Sequence, residues 1–588
     1  MAENNKDALF VIAIGGTGMR CLESFVHLCA IGMLDGREVN ILTLDTDSMN
    51  GNKSRVQSLI NTYNAIKRDA SGAEGLPQSK TFFSAKLNFY EFTTNYEGTG
   101  RNTYKSLSEQ ATGISEVDKR ENQDLSDLFL DHDTVQQFSL LEGYRAQTHL
   151  GSLLMYHGIV EAALVCKRDI NHASPQQVAL SKYLDALKEA NAAGAGRVFV
   201  FGSVFGGTGA SSIPIIPKAL QEAVRVKSVN GTETLDFAQR IKCGATLLTQ
   251  YFTFAQVNAD SLAAQRVIAN SDNFAINSQA ALQFYSDDET VNNTYKRLYH
   301  VGWPFERVFF GSDNKTEVGG GDQRNDCHVV ELMSACAALE FFTEPKESLE
   351  NKEAVYLFKS VEEHHPGDSA GVAHTHYKFT EDFFLGGMGD VFRRRLGAMT
   401  SLALLVLAHQ QAACKKIENS SPSELIGVTL FTRSKEGKPI FTDSDLHYSD
   451  LNNDLNALEK VDDYLRMFAY HYEGTKLVRG WLFQIYESLK LVIGDFFILP
   501  QCFTTEYLDM NRPVVDMGEV FTNVEHNFYQ GRTMFGNKRD TPSHQKSFEI
   551  FERNCKNMSS KPTVEQSARS NMEKLIAHVY NALMMSQN

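Results

Sequence analysis

Two segments of this chain share one layout, and that layout dictates most of what the chain can become. Residues 8–18 read ALFVIAIGGTG, and residues 197–212 read RVFVFGSVFGGTGASS. Each opens with an apolar run, the mark of a strand buried on both faces of a parallel sheet. Each run meets a Gly-Gly-Thr-Gly turn that leads into a helical pattern. After the first turn, Cys21, Leu22, Phe25, Val26, Leu28 and Cys29 recur at helical spacing. A further apolar run, VNILTLDTD (39–47), then ends on Asp45 and Asp47. Strand, loop, helix and strand make a βαβ unit, so the expected fold is α/β with a mainly parallel sheet.

Glycines let backbone amides converge on one point with no Cβ in the way. The helix behind each turn adds free N–H groups and the positive end of its dipole. Such loops suit an anionic group, most often phosphate. The candidate contacts are Gly15, Gly16, Thr17 and Gly18 in the first loop, and Gly206, Gly207, Thr208, Gly209, Ala210 and Ser211 in the second. The chain does not fit a P-loop, because no lysine follows Gly18 or Gly207. A dinucleotide fingerprint is half met: Gly16 and Gly18 are in place and Asp45 ends the second strand, but position 21 is cysteine. A dinucleotide fold, the reading that predicts a Rossmann-type oxidoreductase, leaves the second loop unexplained.

The rest of the chain bounds the function. With 588 residues, two or three domains are expected. A net charge of −15 argues against general nucleic-acid or anionic-membrane binding. The nine cysteines show no CxxC spacing, so neither a disulfide framework nor a zinc cluster is expected, and the reading is cytoplasmic. The longest apolar stretch, around Leu402–Ala408, is too short to span a bilayer. Residues 71–140 read as an insertion. Helical pattern marks 150–165, 175–191, 213–226, 325–342, 453–500 and 561–586. Strands are expected at 243–252 and 307–313. The expected division is a nucleotide-binding domain over 1–345 and an α+β, then mostly helical, domain over 346–588. The histidine-rich stretch 361–376 carries Pro366, Gly367 and Gly371 and reads as a polar loop, with no metal site assigned.

Several segments resemble the tubulin/FtsZ superfamily. FGSVFGGTGASSIPIIPKAL is similar to its glycine-rich signature loop, AIGGTGMRCL to its first nucleotide loop and LTLDTDSMN to the next. LEGYRAQTHLGSLLMYHG stands where a third, phosphate-facing loop belongs. CGATLLTQYFTF is similar to the strand after the signature helix, and NDCHVVELMSACAALEFF to the long central helix. The match runs in segments over roughly 8–345 and is nearest to the divergent bacterial tubulin-like group. The resemblance implies a Rossmann-like GTPase domain that binds GTP or GDP with Mg²⁺ and assembles head to tail into filaments. Members of the group are thought to work with membrane-associated partners. Carried over residue by residue, both glycine loops wrap the phosphates, Asp45 or Asp47 stands near the Mg²⁺, Arg145 faces the phosphates and Asn325 hydrogen-bonds the guanine edge.

The chain also departs from the family pattern. The signature reads GGTGAS, with serine for the last glycine. Family members complete GTP hydrolysis with an N-x-D-x-x-D motif after the central helix, carried by the neighbouring subunit. This chain reads TEPKESLENKEAV there, with Glu344, Glu347, Glu350 and Glu353 but no match. Glu347 and Glu350 are the candidates to orient a water. The residues thus support binding and leave turnover open, which keeps a non-polymerising nucleotide-binding scaffold as the alternative.

Overall fold

Successive residues of a strand point to opposite faces of the sheet, and the apolar run of strand β1 (Ala8–Ile14) buries both sets. Leu9, Val11 and Ala13 enter one core cluster, and Phe10, Ile12 and Ile14 enter another. That alternation fixes the architecture as a parallel sheet with helices on both faces. The computed structural model describes residues 7–47, 50–67, 81–93, 148–227, 237–253, 271–303, 325–359, 388–403, 455–473, 476–490 and 571–586, with short pieces within 362–378 and 550–561.

The other strands of the sheet are β2 (Glu38–Asp45), β3 (Lys86–Thr93), β4 (Gly196–Phe201), β5 (Ile241–Leu248), β6 (Tyr295–Val301) and β7 (Val355–Phe358). All seven run parallel, in the order β3-β2-β1-β4-β5-β6-β7. Two hairpins, β8 (Glu362–His364) with β9 (His376–Lys378) and β10 (Tyr470–Glu473) with β11 (Lys476–Arg479), lie outside it.

The helices are α1 (Gly15–Ala30), α2 (Gly51–Lys67), α3 (Thr148–Arg168), α4 (Pro175–Ala193), α5 (Gly207–Ser212), α6 (Ile216–Lys227), α7 (Phe237–Arg240), α8 (Phe274–Asp287), α9 (Glu289–Thr294), α10 (Val329–Thr343), α11 (Gly389–Ala403), α12 (Leu455–Phe468), α13 (Trp481–Lys490) and α14 (Asn571–Ser586). Helices α1, α2 and α10 bury their apolar residues on one face, while α3, α4, α6, α8 and α9 cover the other. Helices α11 to α14 extend the first core outward. Tyr464, Phe468 and Trp481 pack against His27 of α1, and Tyr580 stacks on Phe82.

Local sequence explains the helix ends. Ser174 caps α4 in a capping box with Gln177, Pro175 takes the first position, and Gly194 closes the helix at φ +64°. His328 and Glu331 form the equivalent box on α10.

Several expectations shift. Strand β3 falls inside the stretch read as an insertion and is an edge of the central sheet. Strand β7 carries the sheet past residue 345. Strand β6 is an addition to the expected strands, and the strand expected at 307–313 lies outside the described residues. The helix expected at 213–226 is α6, with the short α5 ahead of it. The helix expected to start at 325 begins at Val329, and the helical stretch 453–500 contains the β10–β11 hairpin. Among the described residues no helix is long and apolar enough to cross a membrane.

Candidate functional site

Parallel strands end together. Ile14 of β1 is level with Leu44 of β2, and Ala13 is level with Phe201 of β4. Asp45 and Gly15 therefore stand side by side on the carboxyl edge of the sheet, with Gly202 level with Ile14 on the other side of β1, about 4.8 Å from one strand to the next. Open α/β sheets bind their ligands on this edge.

Both glycine turns belong to it. Gly15 opens α1 at φ +62°, and Gly206 precedes α5; no side chain caps either helix. Their first backbone N–H groups are thus the ones an anion would meet. The glycines allow close packing. A Cβ on Gly15 would lie 3.2 Å from the Thr208 Cβ, one on Gly18 would lie 2.7 Å from the Phe201 carbonyl oxygen, and one on Gly209 would lie 2.5 Å from the Ser203 oxygen. The two turns therefore touch. Gly16, Thr17, Gly206 and Thr208 remain half-buried and form the reachable surface, whereas Gly15, Gly18, Gly207, Gly209, Ala210 and Ser211 are buried. The Ser211 hydroxyl donates to the Thr208 carbonyl at 3.0 Å, and the Ala210 carbonyl accepts from the Tyr285 hydroxyl at 2.5 Å. These two residues shape the turn from behind.

Asp45 and Asp47 are both buried. Asp45 accepts from the Thr46 and Asp47 amides at 2.8 and 3.3 Å and from Asn50 Nδ2 at 3.2 Å. Burial first, and then the neighbouring Asp47, push its carboxyl up to about 7. Asp45 thus holds its own turn together, a poor posture for gripping a ribose. Among the described residues no three metal-ligating side chains cluster. Mg²⁺ bound through one or two carboxylates plus phosphate oxygens needs no such cluster, and Asp45 and Asp47 are the carboxylates that stand at this edge, both of them buried.

Beside the first loop lies a network the sequence analysis missed. Arg20, on the second turn of α1, has Nε 2.5 Å from Glu331 Oε1 of α10, with side chains 5% and 0% exposed. The contact is ionic and not an aligned hydrogen bond. Tyr251 donates to the same oxygen at 2.7 Å, and the Arg20 guanidinium lies over the Tyr251 and Phe252 rings. Arg55 of α2 pairs with Glu23 and donates to the Asn325 carbonyl at 3.0 Å and to Cys327 Sγ at 2.6 Å. Arg20 donates to the Asp326 carbonyl at 2.5 Å. Two arginines thus fasten the start of α10, and with it the half-buried Asn325, to α1 and α2. Burial pushes the Glu331 carboxyl above its usual range, against the pull of Arg20. The signal was present in the sequence: Arg20, Glu23 and Glu331 interrupt otherwise apolar helices, and buried charges require partners.

Glu347 and Glu350 stand elsewhere. They follow α10 at the amino end of the sheet, where Arg197 of β4 donates to the Phe341 and Glu344 carbonyls at 2.7 Å. Glu344 pairs with Arg297, and Glu350 accepts from Lys242 Nζ at 3.1 Å. Glu347 is exposed. The glycine turns lie a strand's length away, about 20 Å. Arg145 lies outside the described residues.

No protein-family model, no curated protein and no solved structure matches this chain. Its class rests on the structure alone: an α/β protein with a seven-stranded parallel sheet and two glycine turns abutting at the carboxyl edge.

Proposed function

We propose that this chain is a nucleotide-binding protein of the tubulin/FtsZ type, holding the phosphates of GTP between the β1–α1 and β4–α5 turns. The observation that carries the reading is the contact between these turns, Gly15 against Thr208, at the ends of neighbouring parallel strands. Two uncapped helix starts so placed offer converging N–H groups and dipoles to one polyphosphate. Asp45 and Asp47 would share Mg²⁺ with it.

The opposite placement of the post-helix carboxylates supports head-to-tail assembly. No group there can reach the turns of its own chain, but it could meet those of the next copy in a heterologous contact that does not close. A second reading, a non-polymerising scaffold, is favoured by the commitment of Glu344 and Glu350 to Arg297 and Lys242.

Pelleting and light scattering with GTP, GDP and ATP, with phosphate release followed in the same tube, test both. GTP-dependent pelleting that disappears in Gly207→Trp supports the filament reading. Tight GTP binding without pelleting supports the scaffold. No binding of any nucleotide overturns both.

A further inference from the structure

One side chain clamps the turn that follows α10 on the amino face. Arg297, the third residue of β6, is 7% exposed. Its Nε donates to both carboxylate oxygens of Glu344 at 3.1 Å, its Nη1 to Asn351 Oδ1 at 2.9 Å and its Nη2 to the Ser348 carbonyl at 2.7 Å. The guanidinium thus grips the chain before the 3₁₀ turn Lys346–Leu349, within it and after it. Arginine suits this task because its donors lie in one rigid plane, whereas lysine offers a point charge on a flexible stem.

Neighbouring side chains complete the clamp. Arg197, fully buried near the start of β4, donates to the Phe341 and Glu344 carbonyls and so fixes the end of α10. Lys296 Nζ donates to the Asn351 carbonyl at 2.9 Å, and Lys242 Nζ to Glu350 at 3.1 Å. Leu349 is buried in the core beneath the turn. The apex, Lys346 and Glu347, is exposed. A turn that merely joins α10 to β7 can be made from ordinary turn residues in water. Here cations from the starts of three adjacent strands fix its shape, and charges so far from water are tolerated only when paired.

We propose that Arg297 is a positioning residue, holding the 344–351 turn in the shape in which Glu347 meets the nucleotide of the next copy. The inference rests on the head-to-tail reading and adds to it a residue that the reading does not contain. A carboxylate that orients a water must be held to within about 0.5 Å. Glu347, exposed at the apex, takes its position from the two ends of its turn, and the same guanidinium holds both. Loosening that grip frees Glu347 and leaves the glycine turns, about 20 Å away, untouched.

The test is phosphate release per chain over a range of protein concentrations, with GTP affinity measured by calorimetry on dilute full-length protein. Arg297→Lys keeps a cation and loses the fork. Asn351→Ala removes one of the fork's partners and keeps Arg297 itself. Leu575→Ala, a buried change in α14, is the comparator for lost stability alone. The concentration-dependent part of release is expected to fall at least tenfold in Arg297→Lys and at least threefold in Asn351→Ala. GTP affinity stays within twofold in both, and Leu575→Ala alters neither quantity beyond twofold. Undiminished release in both variants, or an equal fall in Leu575→Ala, would overturn the positioning role and leave the head-to-tail reading standing. GTP binding by the unaltered chain with release independent of concentration would overturn the head-to-tail reading and this inference with it, and leave the phosphate site standing. Circular dichroism checks each fold, and if Arg297→Lys does not fold, Asn351→Ala decides.

Discussion

Gly15 and Thr208, 193 residues apart in the sequence, meet across neighbouring strand ends so closely that a Cβ on the glycine would stand 3.2 Å from that of the threonine. Gly15 is also held at φ +62°, where an L side chain costs roughly 1–2 kcal/mol. Gly15→Ala is therefore expected to lower stability by about that amount and to weaken nucleotide binding. Adding Thr208→Gly removes the crowding but not the backbone strain, so it should restore only part of the loss. Urea unfolding of the unaltered chain and of both variants measures both terms, and full restoration would mean the strain is not there.

How much of this was legible follows from where each signal lives. The glycine turns could be read because a two-faced strand and a glycine cluster are local features. The apolar runs of β1, β2, β4 and β5 could be read for the same reason. Strand β6 was missed because YKRLYHV is polar at its start. Lys296 and Arg297 stand at the sheet's amino end, where they bind Asn351 and Glu344. Strand β3 was missed because an edge strand needs only one well-buried neighbour and reads as a mixed pattern.

The buried Arg20–Glu331 pair makes a prediction about connectivity. Removing one partner of a fully buried pair strands the other charge, at a cost of about 3–5 kcal/mol. Glu331→Leu and Arg20→Met should each destabilise on that scale, with the double variant costing clearly less than the sum. Glu331 also accepts from the His328 amide at 2.9 Å and from Tyr251, so some loss remains in the double variant. Strict additivity in a denaturant double-mutant cycle would show that the two charges are not coupled.

His27 should make the chain acid-sensitive at one particular place. Its ring is buried, stacked 4.7 Å from Trp481, and shares a 3.0 Å hydrogen bond with the Tyr464 hydroxyl. Burial first, and then the Arg55 charge, hold it well below the ordinary value of 6.5. A lowered folded-state value means that the unfolded chain binds the proton more readily. Stability is therefore intact above pH 6.5 and falls as the pH drops below it. The loss should begin with α12 and α13 coming away from α1, reported by Trp481 emission. His27→Phe should remove the share of that dependence that His27 carries, leaving that of the equally buried His328, at a cost of about 1 kcal/mol for the lost hydrogen bond. An unchanged acid profile in that variant would exclude His27 as its source.

Asp45 predicts the opposite sign. Its folded-state value is raised to about 7 by burial and by Asp47, so the folded chain holds the proton more tightly than the unfolded one. The associated stability is present in acid and is lost as the pH rises from about 4 to about 7, on the order of 4 kcal/mol at most. Asp45→Asn keeps an acceptor for the Thr46 and Asp47 amides and removes the titration. Without nucleotide, it should raise the melting temperature relative to the unaltered chain clearly more at pH 8 than at pH 5, where only about a third of the effect has developed. Equal shifts at both values would assign the effect to the turn and not to the charge.

The separation between the glycine turns and the post-helix carboxylates yields the last prediction. Glu347 and Glu350 lie at the amino end of the sheet, about 20 Å from Gly15 and Thr208, and Glu350 is held by Lys242 at 3.1 Å. Direct contact with a nucleotide in the same chain is ruled out by that distance. Glu347→Gln and Glu350→Gln should therefore leave GTP affinity within twofold when the protein is dilute. If these carboxylates orient a water, they do so across a contact between copies, and phosphate release per chain must rise with protein concentration. Glu347, exposed and without an ion-pair partner among the described residues, should then carry the larger effect, with turnover falling at high concentration and affinity unchanged. Release that is independent of concentration, or unaltered in both variants, would assign these glutamates to the structure of the amino face, where Glu350 already anchors β5.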